Sequence, residues 1–183
     1  MRIAVIGSQN TGKSTFVGDF LAEFPEYSTP RETYRDIVRK GNLAINQKTT
    51  QHNQRLIRDF LFDQSVHNLA DDILFDRCVV DNYIYTLAQF EKGGIEELFM
   101  RETEEMMYRS LDNLDALVFI PTAVSVRLVD DALRDTDTLF IDRVNCLFIE
   151  TLLQISQQSS VKIVAIAGNR EERIGQVRKS LGL

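Results

Sequence analysis

Gly7-Ser8-Gln9-Asn10-Thr11-Gly12-Lys13-Ser14 fits G-x-x-x-x-G-K-[ST], the Walker A phosphate-binding loop. Its glycines let the backbone curl so that successive N–H groups converge on phosphate oxygens. A helix starting near Lys13 adds unpaired N–H groups and the positive end of its dipole. Lys13 is then placed to reach the β and γ phosphates of a nucleoside triphosphate, and the Ser14 hydroxyl to ligate Mg²⁺. Gly7 through Thr15 is the expected nucleotide-binding segment. The chain contains neither N-K-x-D nor D-x-x-G, which argues against a guanine-nucleotide switch and makes ATP the expected nucleotide.

Further candidates stand where apolar runs end. Asp76 closes Ile73-Leu74-Phe75, as a carboxylate meeting Mg²⁺ directly or through water would, and Arg77 beside it can clamp an anionic or polar acceptor. Glu32, after Tyr27–Pro30, can take or orient the proton of an attacking hydroxyl, or simply complement a helix dipole. Arg31 opens a basic run at the place where a second substrate should dock. Asp81 reads either as a helix cap or as part of the acceptor site, with Asn82 and Tyr83 facing the acceptor. In 122–137, Arg134 lies among four aspartates, as a lid arginine over the transferred phosphoryl group or as a member of surface ion pairs. Asn169 can flank the nucleotide base or cap the last helix.

Position depends on the elements beneath. Ile3–Ile6, Ile73–Phe75, Leu117–Ile120 and Val161–Ala167 read as buried strands, and Tyr27–Thr29 as a weaker fifth. Helical patterns cover 13–23, 31–40, 47–69, 81–91, 94–111, 138–157 and 170–181. Strands alternating with helices imply right-handed crossovers and an α/β fold with a parallel sheet covered on both faces. Ligands then sit beyond the carboxyl ends of the strands, where the candidates above cluster.

Composition excludes several classes. The 183 residues suggest one domain over 1–183, and 44% hydrophobic with 26% charged residues is ordinary for a globular chain. A net charge of −6 disfavours indiscriminate nucleic-acid or membrane binding. From Arg31 to Asp59, however, seven basic residues stand against three acidic ones, whereas 91–115 carries eight acids and three bases. Cys78 and Cys146 form no metal-spacing pattern and read as reduced thiols. No apolar run approaches a membrane span, and a strand at the very start leaves no room for a signal peptide, so a cytoplasmic location is expected. The oligomeric state stays open.

The chain resembles the P-loop nucleoside and nucleotide kinases, particularly thymidylate kinase-like proteins and the nicotinamide riboside kinase-type branch. Thr29-Pro30-Arg31-Glu32-Thr33 is similar to the acceptor-side Arg-Glu motif of the former. Phe75-Asp76-Arg77-Cys78, with Asp81 and Leu87-Ala88, resembles their Asp-Arg motif and the helix after it. Val129-Asp130-Asp131-Ala132-Leu133-Arg134-Asp135 looks like the lid segment of the latter. The resemblance implies a three-layer fold with a five-stranded parallel sheet, flanking helices and a helical lid at about 122–137. It implies transfer of the γ-phosphoryl group of ATP to a nucleoside- or nucleotide-type acceptor. Bacteriophage members of the group act on hydroxymethylated pyrimidines, including 5-hydroxymethyluracil in DNA, which would give the basic run a phosphate backbone to hold. Cys78 where thymidylate kinases commonly carry an aromatic residue, and the missing Pro-Gly-Gly after Arg31-Glu32, speak against thymidylate itself. A nucleotide-dependent switch, or a plain ATPase without an acceptor, remains the alternative of a different class.

Overall fold

The computed structural model describes residues 1–122 and 138–183. Among these, four strands form one parallel sheet in the order β2-β1-β3-β4. They are β1 (Arg2–Ile6), β2 (Ile73–Asp76), β3 (Ala116–Phe119) and β4 (Lys162–Ala165). Such near-continuous apolar runs suit strands covered on both faces. The strand period of two divides β1 cleanly. Ile3 and Val5 face a core built with α1 (Lys13–Glu23) and α7 (Arg170–Leu181), while Ala4 and Ile6 face the larger core on the other side.

That larger core is supplied by α3 (Gln51–His67), α4 (Val79–Phe90), α5 (Glu97–Leu111) and α6 (Thr138–Gln158). Helix α4 touches each of the other three and is buried almost all round, its polar residues Asp81, Asn82, Thr86 and Gln89 included. On the smaller side, Phe16, Phe20, Phe24 and Tyr27 form an aromatic ladder, with Phe20 4.7 Å from Phe24 and edge-on to Tyr27 at 5.0 Å. The short α2 (Tyr34–Lys40) follows β1 and α1 in the chain and carries Val38 into the larger core.

The expected five-stranded sheet is corrected to four. Tyr27–Thr29 contributes a single parallel bridge, Ser28 with Ile73, in which Ser28 donates to Asp72 O and accepts from Leu74 N. Pro30 follows at once and has no N–H to continue the ladder. Helix starts also shift where capping is local. Asp36 accepts from the Thr33 N–H and hydroxyl at 2.8 Å, so α2 begins at Tyr34 rather than 31. Thr50 Oγ1 accepts from Asn53 N at 3.2 Å and starts α3 at Gln51, after a separate 3₁₀ turn at Asn46–Lys48. The expected lid falls on residues outside those described.

Phe20 is fully buried in the aromatic ladder. Phe20→Ala is expected to lower unfolding free energy by about 3–5 kcal/mol, read from urea denaturation.

Candidate functional site

The loop from Gly7 to Ser14 leaves the carboxyl end of β1 and turns into α1. Gly7 has φ 144°, and a Cβ there would lie 2.4 Å from Ile120 O at the end of β3. Only glycine lets the chain pass that carbonyl. Gly12 (φ 83°) and Asn10 (φ 62°) complete the curl in the left-handed region. Lys13 folds back inside it, its Nζ donating to Gly7 O at 2.8 Å, to Ser8 O, and to Thr11 Oγ1 at 3.3 Å. Burial holds the Lys13 ammonium well below the usual lysine range, and the Arg77 charge adds to this, while Asp81 and Asp76 pull the other way. Polyphosphate oxygens would supply the negative charge this buried cation lacks.

Neighbouring elements brace the loop from three directions. Ser8 Oγ and Thr122 Oγ1 are 2.7 Å apart after β3, and Thr122 N donates to Asn145 Oδ1 of α6 at 3.0 Å. Arg173 of α7 donates to Thr11 O at 3.0 Å. Helix α4 supplies the third brace. Gly7 N donates to Asp81 Oδ1 at 3.4 Å, and Gln9 N to the Tyr85 hydroxyl at 3.1 Å. Asp81 also accepts from Cys78 N at 3.3 Å, capping α4. It pairs with the Arg77 guanidinium at 2.9 Å, both side chains being buried. Burial pushes the Asp81 carboxyl up, against the pull of Arg77 and Lys13.

Arg77 sits at the junction of two adjoining cavities. One is lined by the phosphate loop with Tyr34, Arg35 and Arg77. The other shares Tyr34, Ile45, Asn46 and Arg77 and continues to Gln54, Asp81, Asn82 and Tyr85. The guanidinium lies 4.5 Å over the Tyr34 ring and 5.7 Å from that of Tyr85, on a backbone at φ 83°. Such a conformation costs of order 1–3 kcal/mol for a residue other than glycine and persists where its surroundings enforce it. In the second cavity Asn82 Nδ2 donates to Gln54 Oε1 at 2.6 Å and to Gln54 O at 3.0 Å, while Asn82 Oδ1 is buried without a hydrogen-bond partner. Arg77 Nε and Asp76 Oδ1 are likewise buried and unpaired.

Residues expected from sequence divide accordingly. Gln9 through Thr15 line the first cavity, with Gly7 and Ser8 forming its backing. Asp76 ends β2 and lines neither cavity, Arg77 lines both, and Asp81 lines the second. Arg31 and Glu32 are exposed and line neither; Glu32 bonds Lys40, and the capping of α2 at Thr33 turns Tyr34 and Arg35 toward the loop instead. Arg35 donates to Ser14 Oγ at 2.9 Å. Tyr83 points to α5, where burial, with Glu104 and Tyr108 nearby, pushes its hydroxyl up to about 12; Tyr85, two residues on, takes the cavity position. Asn169 caps α7 by accepting from Glu172 N at 3.0 Å and lines neither cavity. Arg134 lies outside the described residues. Tyr85 stands one helical turn from Asp81 on the same face, and that spacing is its signal in the sequence.

A magnesium ion fits the donor set. Mg²⁺ keeps most of its water and needs one or two protein oxygens beside the phosphates. Ser14 Oγ and the unpaired Asp76 oxygen are of that kind. Among the described residues no group of three or more His, Cys, Asp or Glu forms a separate metal cluster.

Over residues 2–173 the chain matches the model of a family described as an AAA domain (AAA_28). No curated protein matches it. A solved NadR protein in complex with NR aligns at TM-score 0.71 and 17% identity, covering 99% of this chain and 51% of that one. This chain thus spans about half the length of that protein. Deoxyadenosine kinase from M. mycoides, with dCMP and dCDP bound, aligns at TM-score 0.71 and 16% identity over 100% of this chain and 98% of that chain. Thymidylate kinase from Candida albicans aligns at TM-score 0.68 and 16% identity, covering 98% and 90%. At these identities the likeness is one of fold, a P-loop kinase-like three-layer architecture.

Removing one partner of a buried ion pair strands the other charge. Asp81→Ala is expected to cost about 3–5 kcal/mol of stability in urea denaturation, most of it recovered in the double variant Asp81→Ala/Arg77→Met.

Proposed function

Since the chain belongs to the AAA domain family and carries a P-loop kinase-like fold, we propose that it is an ATP-dependent phosphotransferase acting on a small nucleoside- or nucleotide-type acceptor. The observation that carries this reading is the second cavity, which adjoins the phosphate loop and shares Tyr34 and Arg77 with it. A switch or a plain ATPase has no use for such a chamber. Its walls are apolar at Ile57 and Leu61, and its floor offers the Asn82–Gln54 amide pair with an acceptor oxygen to spare. A flat heterocycle bearing an N–H donor suits both features.

In this reading the loop N–H groups and Lys13 hold the phosphates of ATP. Ser14 and Asp76 hold Mg²⁺, which when bound neutralises charge on the phosphate oxygens. Arg77, reaching both cavities, balances charge on the group in transit. The acceptor oxygen forms a bond to the γ-phosphorus as the bond to the departing ADP oxygen breaks. Where the acceptor is a hydroxyl, its proton passes to the Asp76 oxygen that is not on Mg²⁺, since Glu32 is bonded to Lys40. Arg134 remains the proposed lid arginine, and Arg31, Asn169 and Tyr83 have a weaker claim to ligand contact than Tyr34, Arg35 and Tyr85.

A small acceptor is preferred over a base in DNA because part of the basic segment is engaged within the protein. Arg58 is buried against Asp59 and Thr103, Arg55 faces Glu102 at 3.7 Å, Lys40 bonds Glu32, and Arg35 holds Ser14. Fewer of its seven cations are then left to meet a phosphate backbone. No helix among the described residues is long and apolar enough to cross a membrane.

Labelled γ-phosphoryl from ATP with Mg²⁺ should appear in at least one of a panel of nucleosides, nucleoside monophosphates and nicotinamide riboside. It should not appear in DNA carrying 5-hydroxymethyluracil. Lys13→Ala should cut transfer at least about 100-fold. Asn82→Leu should raise the acceptor KM about 10-fold with little change in that for ATP. ATP binding without label in any acceptor would sink the kinase reading in favour of a switch or plain ATPase. Label in DNA alone would move the acceptor to the modified base.

A further inference from the structure

Gln9 occupies the third position of the phosphate loop, where the motif places no chemical demand. It is nevertheless buried, lines the first cavity, and engages one side chain from a helix far away in sequence. The Tyr85 hydroxyl accepts from Gln9 N at 3.1 Å and donates to Gln9 Oε1. That pairing fixes the amide orientation. A buried hydroxyl has one proton to place, and Gln9 supplies the acceptor, so Oε1 turns to the tyrosine and Nε2 turns away. Gln9 Nε2 is then buried with no hydrogen-bond partner. Leaving such a donor unpaired costs about 1–3 kcal/mol, a cost removed where an oxygen comes within its reach only as the transition state is approached.

Core packing alone does not account for Tyr85. Its ring packs 6.3 Å from Phe140 and 5.7 Å from the Arg77 guanidinium, and phenylalanine would fill that space equally well. Only the hydroxyl reaches the loop. Burial pushes its pKa above the ordinary tyrosine value, so it stays protonated and able to donate.

We propose that Gln9 Nε2 is a catalytic donor to an oxygen of the γ-phosphoryl group in transfer, and that Tyr85 is the positioning residue that aims it. This rests on the phosphotransferase reading for the reaction, although not for the acceptor. The amide is held before the ligand arrives, at the boundary between the nucleotide cavity and the chamber beyond Arg77. Charge that spreads over the phosphoryl oxygens at the transition state meets a donor already oriented, and little reorganisation is needed.

The test compares wild type, Gln9→Met, Tyr85→Phe and the double variant in two measurements. One is affinity for Mg·ATP by fluorescent-nucleotide displacement. The other is the rate of γ-phosphoryl transfer to the best acceptor of the panel, or to water where no acceptor is labelled. Each single variant should bind Mg·ATP within about 3-fold of wild type and transfer at least about 10-fold more slowly. The double variant should be no slower than the worse single one, because both changes disable the same donor. A wild-type rate in Gln9→Met would overturn the proposal. So would losses that multiply in the double variant, or a rate that falls only in step with ATP affinity. Should Tyr85→Phe fail to fold, Gln9→Met decides alone. Failure of every acceptor would sink the kinase reading, while the hydrolysis rates would still judge Gln9 and Tyr85.

Discussion

The buried ion pair between Arg77 and Asp81 is the constraint on which the site depends. Taking both charges out of water costs several kcal/mol each, and good geometry with further hydrogen bonds is needed to offset it. Asp81 meets that need by accepting from Gly7 N and Cys78 N as well as from Arg77. The same carboxylate therefore caps α4, fixes the root of the phosphate loop and holds the guanidinium between two cavities. The left-handed backbone at Arg77 follows, because the chain must turn sharply from the end of β2 for residue 77 to face residue 81. Gly7 has no freedom either, hemmed by Ile120 O on one side and drawn to Asp81 on the other.

Much of this was legible in the chain itself. The phosphate loop was readable because its chemistry needs particular residue types at fixed spacing, and the four strands because parallel strands covered on both faces are short apolar runs. Asp76 and Arg77 followed from the rule that ligands gather beyond strand ends. The weak strand at Tyr27–Thr29 misled because its composition suits a sheet, whereas Pro30 ends the pairing after one bridge. Arg31 and Glu32 stand out by their place just after that weak strand, with likeness to a motif in support. The deciding feature was local: the Thr33–Asp36 capping box, which sets where α2 begins and hence which side chains turn inward.

Tyr83 and Tyr85 illustrate a deeper limit. On a helix buried all round, burial no longer marks a face, and only the i,i+4 spacing from Asp81 tells that Tyr85 rather than Tyr83 looks at the loop. The basic run shows the same limit for charge. Seven cations in 31–59 read as a surface for phosphate, yet Arg58 is spent inside the protein beside Phe99 and Thr103, and Arg55 also lies over Phe99. Partner choice across the fold, invisible along the chain, decides what a charged residue does. Nor does the shared architecture choose a substrate, since one fold hosts many chemistries.

The alternation of β1 between two cores has a mechanical consequence. Ile3 and Val5 are clamped from one side of the sheet and Ala4 and Ile6 from the other, while β2 and β3 bond both its edges. The strand has no free flank along which to slide or bow. Close-packed interiors are stiff and transmit load rather than absorb it. The phosphate loop is thus cantilevered from the least compliant member of the molecule. A force applied at its tip passes into the whole sheet.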